Sequence, residues 1–103
     1  GTFTYTAYFE HFMMNVGTTY DTTYAGTLIV TVVDSTTNQV RFSIGANMEE
    51  YTILNRDGSF SRTVPQYRSG FSGNFYANDS LHIETGWSTN AAYYNARYFC
   101  KRQ

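Results

Sequence analysis

Thr2-Phe3-Thr4-Tyr5-Thr6-Ala7-Tyr8-Phe9 opens the chain with rings and hydroxyls in near alternation, and this stretch decides the fold class. A strand sends successive side chains to opposite faces, and aromatic and β-branched residues suit its pleated surface. Phe71-Ser72-Gly73-Asn74-Phe75-Tyr76 repeats the pattern. Leu28, Val30 and Val32 alternate with Thr27, Ile29, Thr31 and Val33, and Val40, Phe42 and Ile44 alternate with Arg41 and Ser43. No stripe of period 3.6 reaches helical length. The chain reads as all-β.

Working outward, the spacing predicts strands over Phe3–Met14, Tyr24–Val33, Val40–Ile44, Tyr51–Ile53, Phe60–Val64, Gly70–Ala77, Ser80–Trp87 and Tyr93–Lys101. In the first, Phe3, Tyr5, Ala7 and Phe9 share a face; in the seventh, Leu81, Ile83, Thr85 and Trp87 do. Alternation blurs at Glu10–Met14, which suggests a bulge or the end of pairing. Asp34–Asn38, Asn55-Arg56-Asp57-Gly58 and Asn78-Asp79 carry turn chemistry, because short Asp and Asn side chains bond nearby backbone and Gly accepts positive φ. Asn15–Thr23 reads as a polar loop, Asn47–Glu50 as a short turn or helix, and Pro65 as the stop of the fifth strand. Seven to eight strands on short connections favour an antiparallel up-and-down meander barrel, which removes exposed edges, with a β-sandwich as the alternative. Residues 1–103 form one domain.

Composition narrows the function classes. The chain has ten Tyr, eight Phe and one Trp, yet only 15% charged residues against roughly 25% in ordinary soluble domains. Seven basic and eight acidic residues nearly cancel. That argues against nucleic acid, which needs a concentrated basic patch. Weak net charge also removes an obstacle to association. Arg97, Lys101 and Arg102 form a local basic cluster that a solvated strand end explains. Cys100 is the single cysteine, so no intrachain disulfide forms, and its place in Tyr98-Phe99-Cys100 suggests a small buried residue. No apolar run approaches the roughly 20 residues of a membrane helix, so no transmembrane segment is expected. The start at Gly1 suggests a processed or excised chain.

Catalytic motifs are missing. No Ser occupies a nucleophile elbow, no Gly-rich phosphate loop occurs, and no Cys–His pairing is evident. His82 and Glu84 share a strand face, but alternation splits Glu10 from His11, so neither a metal site nor a cofactor is expected. Glu49 and Glu50 point apart for the same reason and do not form a carboxylate pair. Asn78-Asp79-Ser80 matches a short glycosylation pattern. The aromatics are more informative. Phe42, Phe60, Phe71 and Phe75 fit a core, but Tyr93 and Tyr94 cannot both do so, and Tyr5-Thr6-Ala7-Tyr8-Phe9 poses the same problem. Tyr5, Tyr8, Trp87, Tyr93 and Tyr94 are therefore the candidate binding or interface residues.

Tyr24-Ala25-Gly26-Thr27-Leu28-Ile29-Val30-Thr31-Val32, the stretch Phe71-Ser72-Gly73-Asn74-Phe75 leading to Leu81-His82-Ile83, and the ending Tyr98-Phe99-Cys100-Lys101-Arg102-Gln103 resemble small secreted or lipoprotein-type β domains of Bacteroidota. The resemblance implies a lipocalin-like or calycin-like meander barrel that is exported to the envelope or cell surface. It transfers no functional residue, and the lipoprotein cysteine is absent from this sequence.

The sequence thus predicts a non-enzymatic, secreted or cell-surface binding module that contacts protein, glycan or its own copies through Tyr-rich strand faces. One alternative is a lipocalin-like carrier of a small apolar ligand inside the barrel. Another is a self-assembling fibre or sheath subunit whose long first strand pairs across copies. A small hydrolase ranks last.

Overall fold

The computed structural model describes residues 1–20, 24–45, 48–64, 69–77, 79–89 and 91–103. The strands are β1 (Thr2–Met13), β2 (Gly17–Tyr20), β3 (Tyr24–Asp34), β4 (Gln39–Ile44), β5 (Met48–Ile53), β6 (Ser59–Val64), β7 (Ser69–Tyr76), β8 (Ser80–Ser88) and β9 (Ala92–Arg102). They form one antiparallel sheet in the order β5-β4-β3-β1-β9-β8-β7-β6, with β2 pairing the far half of β1. The sheet curls into a nearly closed up-and-down barrel, as the short connections predict.

Closure is visible in the core. Phe42 on β4 meets Phe60 on β6 at 4.7 Å between ring centroids and Phe71 on β7 at 5.3 Å. Phe3 on β1 meets Phe75 on β7 at 6.2 Å. Strands far apart in the sheet can share rings only if the sheet wraps around them. Leu28, Val40, Ile44, Leu81 and Ile83 are buried in the interior with them. The residues that alternation groups on one face of β1, β3, β4 and β8 share a face in the structure, and the structure shows which face is inward. At the end of the barrel where β1 begins the burial fades, however, and Val32 is mostly exposed.

The turns carry the expected chemistry. Asp34 accepts the Thr36 amide through Oδ1 at 2.9 Å, and Asn38 takes φ 60°. Gly58 takes φ 89° in the β5–β6 hairpin. Beside it, Asp57 accepts both the Ser59 amide, at 2.9 Å, and the Ser59 hydroxyl, at 2.6 Å. Those bonds to the ionised form hold the Asp57 carboxyl below its ordinary pKa. Asp79 takes φ 63° at the β7–β8 turn.

Several expectations need correction. The segment read as a loop over Asn15–Thr23 contains β2, which pairs Gly17 with Met13 and Tyr20 with Glu10. Gly17, at φ 90°, lets the chain reverse after Met13, and the Thr-rich Gly17–Tyr20 is polar yet β-compatible. Pairing of β1 therefore continues through the stretch where its alternation blurs. Met48–Glu50 is strand and not helix, because β5 aligns Met48 with Ile44 and Glu50 with Phe42. Asn47, Pro65 and Asn78, and the readings attached to them, lie outside the described residues. The long first strand also offers no free edge. It pairs with β3 and β2 on one side and with β9 along eleven positions, Phe3 to Met13, on the other. Among the described residues the ends of the strand order are β5 and β6, and β2 pairs on one side only.

Candidate functional site

Two aromatic surfaces emerge from this framework, one outside the barrel and one at its open end. Every outward position follows from register. Tyr8 opposes Arg97, and Phe99 opposes both Thr6 and His82. Tyr8 and Phe99 meet edge to face at 5.7 Å, and Phe99 stacks on the His82 imidazole at 4.8 Å with planes 9° apart. Tyr8, Phe99 and Tyr76 are each 50% exposed. The outer band thus runs across β1, β9, β8 and β7. Glu84 lies beside it, 3.8 Å from His82 Nε2 and 3.7 Å from Arg97 Nε. Shallow hollows flank the Phe99 ridge, one of about 370 Å³ bordered by Tyr76 and Lys101 and one of about 240 Å³ bordered by Tyr8 and Asn95. Farther along the same face Phe12 and Tyr93 stack at 5.3 Å, and the Tyr93 hydroxyl donates to Glu10 Oε1 at 2.5 Å.

At the open end the inward positions carry a second group. Trp87 opposes Tyr94 across β8 and β9, with near-parallel rings 6.1 Å apart. Tyr94 touches Phe9 at 5.9 Å and His11 at 6.1 Å, and Phe9 touches Tyr24 at 5.3 Å. Glu50 and Arg62 also point inward here, because Glu50 aligns with Phe42 and Arg62 with Phe71. The Arg62 guanidinium pairs with the Glu50 carboxylate and donates from Nη1 to the Tyr51 carbonyl at 3.1 Å. Among the described residues β5 and β6 meet as strands only at the Leu54–Phe60 bridge beside their hairpin. A side chain therefore spans the seam that the backbone leaves open. The resulting cleft of about 250 Å³ lies among Glu50, Arg62, Phe71, Thr85, Trp87 and Tyr94.

The sequence candidates divide between these surfaces. Tyr8 and Tyr93 are on the outer face, while Trp87 and Tyr94 stand at the mouth. Tyr93 and Tyr94 take opposite sides, as neighbours on a strand must. Tyr5 belongs to neither surface. It is half-buried on the inner face, meets Tyr98 edge-on at 5.2 Å, and lays its ring over Gly26, where an added Cβ would come within 2.6 Å of its Cζ. Sequence reasoning missed Phe99, although Arg97-Tyr98-Phe99-Cys100-Lys101 places Phe99 in register with two charged residues. It also missed the Glu50–Arg62 pair, whose members come from different strands.

Among the described residues no three His, Cys, Asp or Glu side chains converge on a metal-binding point. His82 and Glu84 do share an outer face, but without a third ligand. Cys100 is buried, and desolvation raises its thiol from 9.0 to about 12. Burial likewise raises the Tyr98 phenol from 10.0 to about 12, with the nearby acids Tyr5, Tyr94 and Cys100 adding to the shift. Both groups keep their protons in the folded state at pH values where the unfolded chain loses them. Stability is therefore complete below about pH 9 and falls as pH rises toward 12, by a few kcal/mol on the order of magnitude that such shifts imply. Urea melts at pH 8 and pH 11 should show this drop; equal midpoints would contradict it. The Cys100 thiol should also resist alkylation at pH 8 until the chain unfolds.

No family model, curated protein or solved structure matches the chain.

Proposed function

We propose that this chain is a non-catalytic binding module, exported to the cell surface or beyond, and that the outer aromatic band is its contact face. The observation that carries this reading is the pairing of Tyr8 with Phe99, rings that touch each other while half of each remains open. Single exposed apolar residues are ordinary on soluble proteins, but a contiguous exposed group is characteristic of interaction surfaces. Here the group spans four strands. The matching partner is an aromatic protein surface whose scattered charges nearly cancel, and a second copy of the chain is the nearest example.

The carrier reading receives less support, because the rings that would line an internal cavity pack against one another as Phe42, Phe60 and Phe71 do. Export rests on the low charge and on the resemblance to small exported β domains.

Tyr8→Ser combined with Phe99→Ser tests the contact face. The double variant should still fold cooperatively, at a cost of about 1–3 kcal/mol for the lost ring contacts and half-buried area. Sedimentation equilibrium should show concentration-dependent association of the parent that the variant lacks. If both remain monomeric up to millimolar concentration, self-contact through this band is ruled out.

A further inference from the structure

The cleft at the barrel mouth has a chemistry of its own, independent of the outer band. Three rings line it: Trp87 and Tyr94, nearly parallel to each other, and Phe71. The Glu50–Arg62 ion pair lines it too. The two charges cancel, so the pair favours neither an anion nor a cation. They nevertheless offer hydrogen-bonding capacity of both kinds. Of the five guanidinium N–H donors, the bonds to Glu50 and to the Tyr51 carbonyl use only some, and the carboxylate has a second oxygen besides Oε2. Both side chains are partly open, with Glu50 at 23% and Arg62 at 41% exposure. Thr85 adds a hydroxyl at the wall.

Adjacent donors and acceptors of zero net charge match neighbouring hydroxyls, each of which both donates and accepts. Apolar ring faces match the C–H faces of a pyranose. The volume, about 250 Å³, is below that of pockets for drug-sized ligands and suits one ring of a longer chain. Trp87 is 43% exposed at the rim, so neighbouring rings of that chain can continue outside. An apolar ligand would leave the ion pair desolvated without compensation, a costly arrangement. We propose that the mouth of the barrel binds a neutral oligosaccharide, with one sugar ring stacked against Trp87 and Tyr94 and its hydroxyls bonded to Glu50 and Arg62.

Trp87 is the single tryptophan of the chain, so its emission reports on this cleft directly. The full chain should be titrated with maltohexaose, cellohexaose, laminarihexaose, tetra-N-acetylchitotetraose and hexagalacturonate, reading Trp87 emission and backbone amide shifts. At least one neutral probe should give a saturable change, with shifts centred on Thr85, Gly86 and Trp87. Replacing the pair together, Glu50→Leu with Arg62→Met, should weaken that binding by about tenfold or more. No saturable change with any neutral probe would overturn the proposal. So would tighter binding of hexagalacturonate, undiminished binding by the double variant, or shifts centred on Tyr8 and Phe99. If the double variant does not fold, the shift map of the parent chain still decides. Self-association of the parent is read separately, so failure at the mouth leaves the outer-band reading intact.

Discussion

Phe42→Ala should destabilise the protein by about 3–5 kcal/mol, the range for deleting a fully buried ring. Phe42 is 0% exposed and is the hub of the ring cluster, with Phe60, Phe71 and Phe75 at 4.7, 5.3 and 6.1 Å. These partners come from β6 and β7, on the far side of the sheet from β4. Removing the ring therefore takes away the contact that holds the curled ends together, besides its own burial. Domains of this size have roughly 5–15 kcal/mol in total, so the variant will be marginal at room temperature. Urea unfolding followed by near-ultraviolet circular dichroism measures the loss. A cost under about 1 kcal/mol would mean that the cavity collapses freely, contrary to the close packing described. Phe60→Ala should be strongly non-additive with it, because their ring centroids are 4.7 Å apart.

Gly73→Ala is expected to cost about 3 kcal/mol or more, despite adding a single methyl. Two effects oppose each other. Alanine narrows the unfolded ensemble and fits a strand better than glycine, which together favour the variant by about 0.5–1 kcal/mol. Against this, the new Cβ would overlap the carbonyl oxygen of His82 on β8 and sit 2.6 Å from Cζ of Phe60. The Phe60 ring is fully buried and wedged against Phe42 and Phe71, so it cannot turn aside without disturbing the core. The β8 backbone is fixed by ladders on both edges. The steric term therefore wins. Thermal melting of the variant checks it, and an unchanged or raised midpoint would show that β7 can shift outward at little cost.

Much of this architecture is legible in the residues, for a specific reason. Where a strand has one dry face and one wet one, as in Val40-Arg41-Phe42-Ser43-Ile44, period-two alternation writes the inward face into the sequence. The turns at Asn38, Gly58 and Asp79 are equally readable, since each needs φ above zero and carries a residue that tolerates it. β2 escapes this reading because Gly-Thr-Thr-Tyr has no apolar alternation; its place depends on pairing with Glu10–Met13. The mouth escapes for a related reason. Arg62 follows Phe60 at the inward spacing, which in isolation reads as a charge at an awkward position. Only the wrap of the sheet brings Glu50 to neutralise it. Tyr5 shows the opposite failure: as a Tyr in an aromatic run it resembles a contact residue, but its partner is the bare backbone of Gly26, twenty-one positions away. Strand-level pattern reports the face of a residue, whereas its neighbours are decided by register between distant segments.

The joining of β1 to β9 has a consequence for the life of the newly made chain. Eleven aligned positions of the ring wait for residues 92–102, which are synthesised about ninety residues after the strand they complete. Until those residues appear, one whole side of β1 has no ladder, and the sheet can curl but cannot close. The barrel is thus assembled after translation has passed Arg102, not progressively during it.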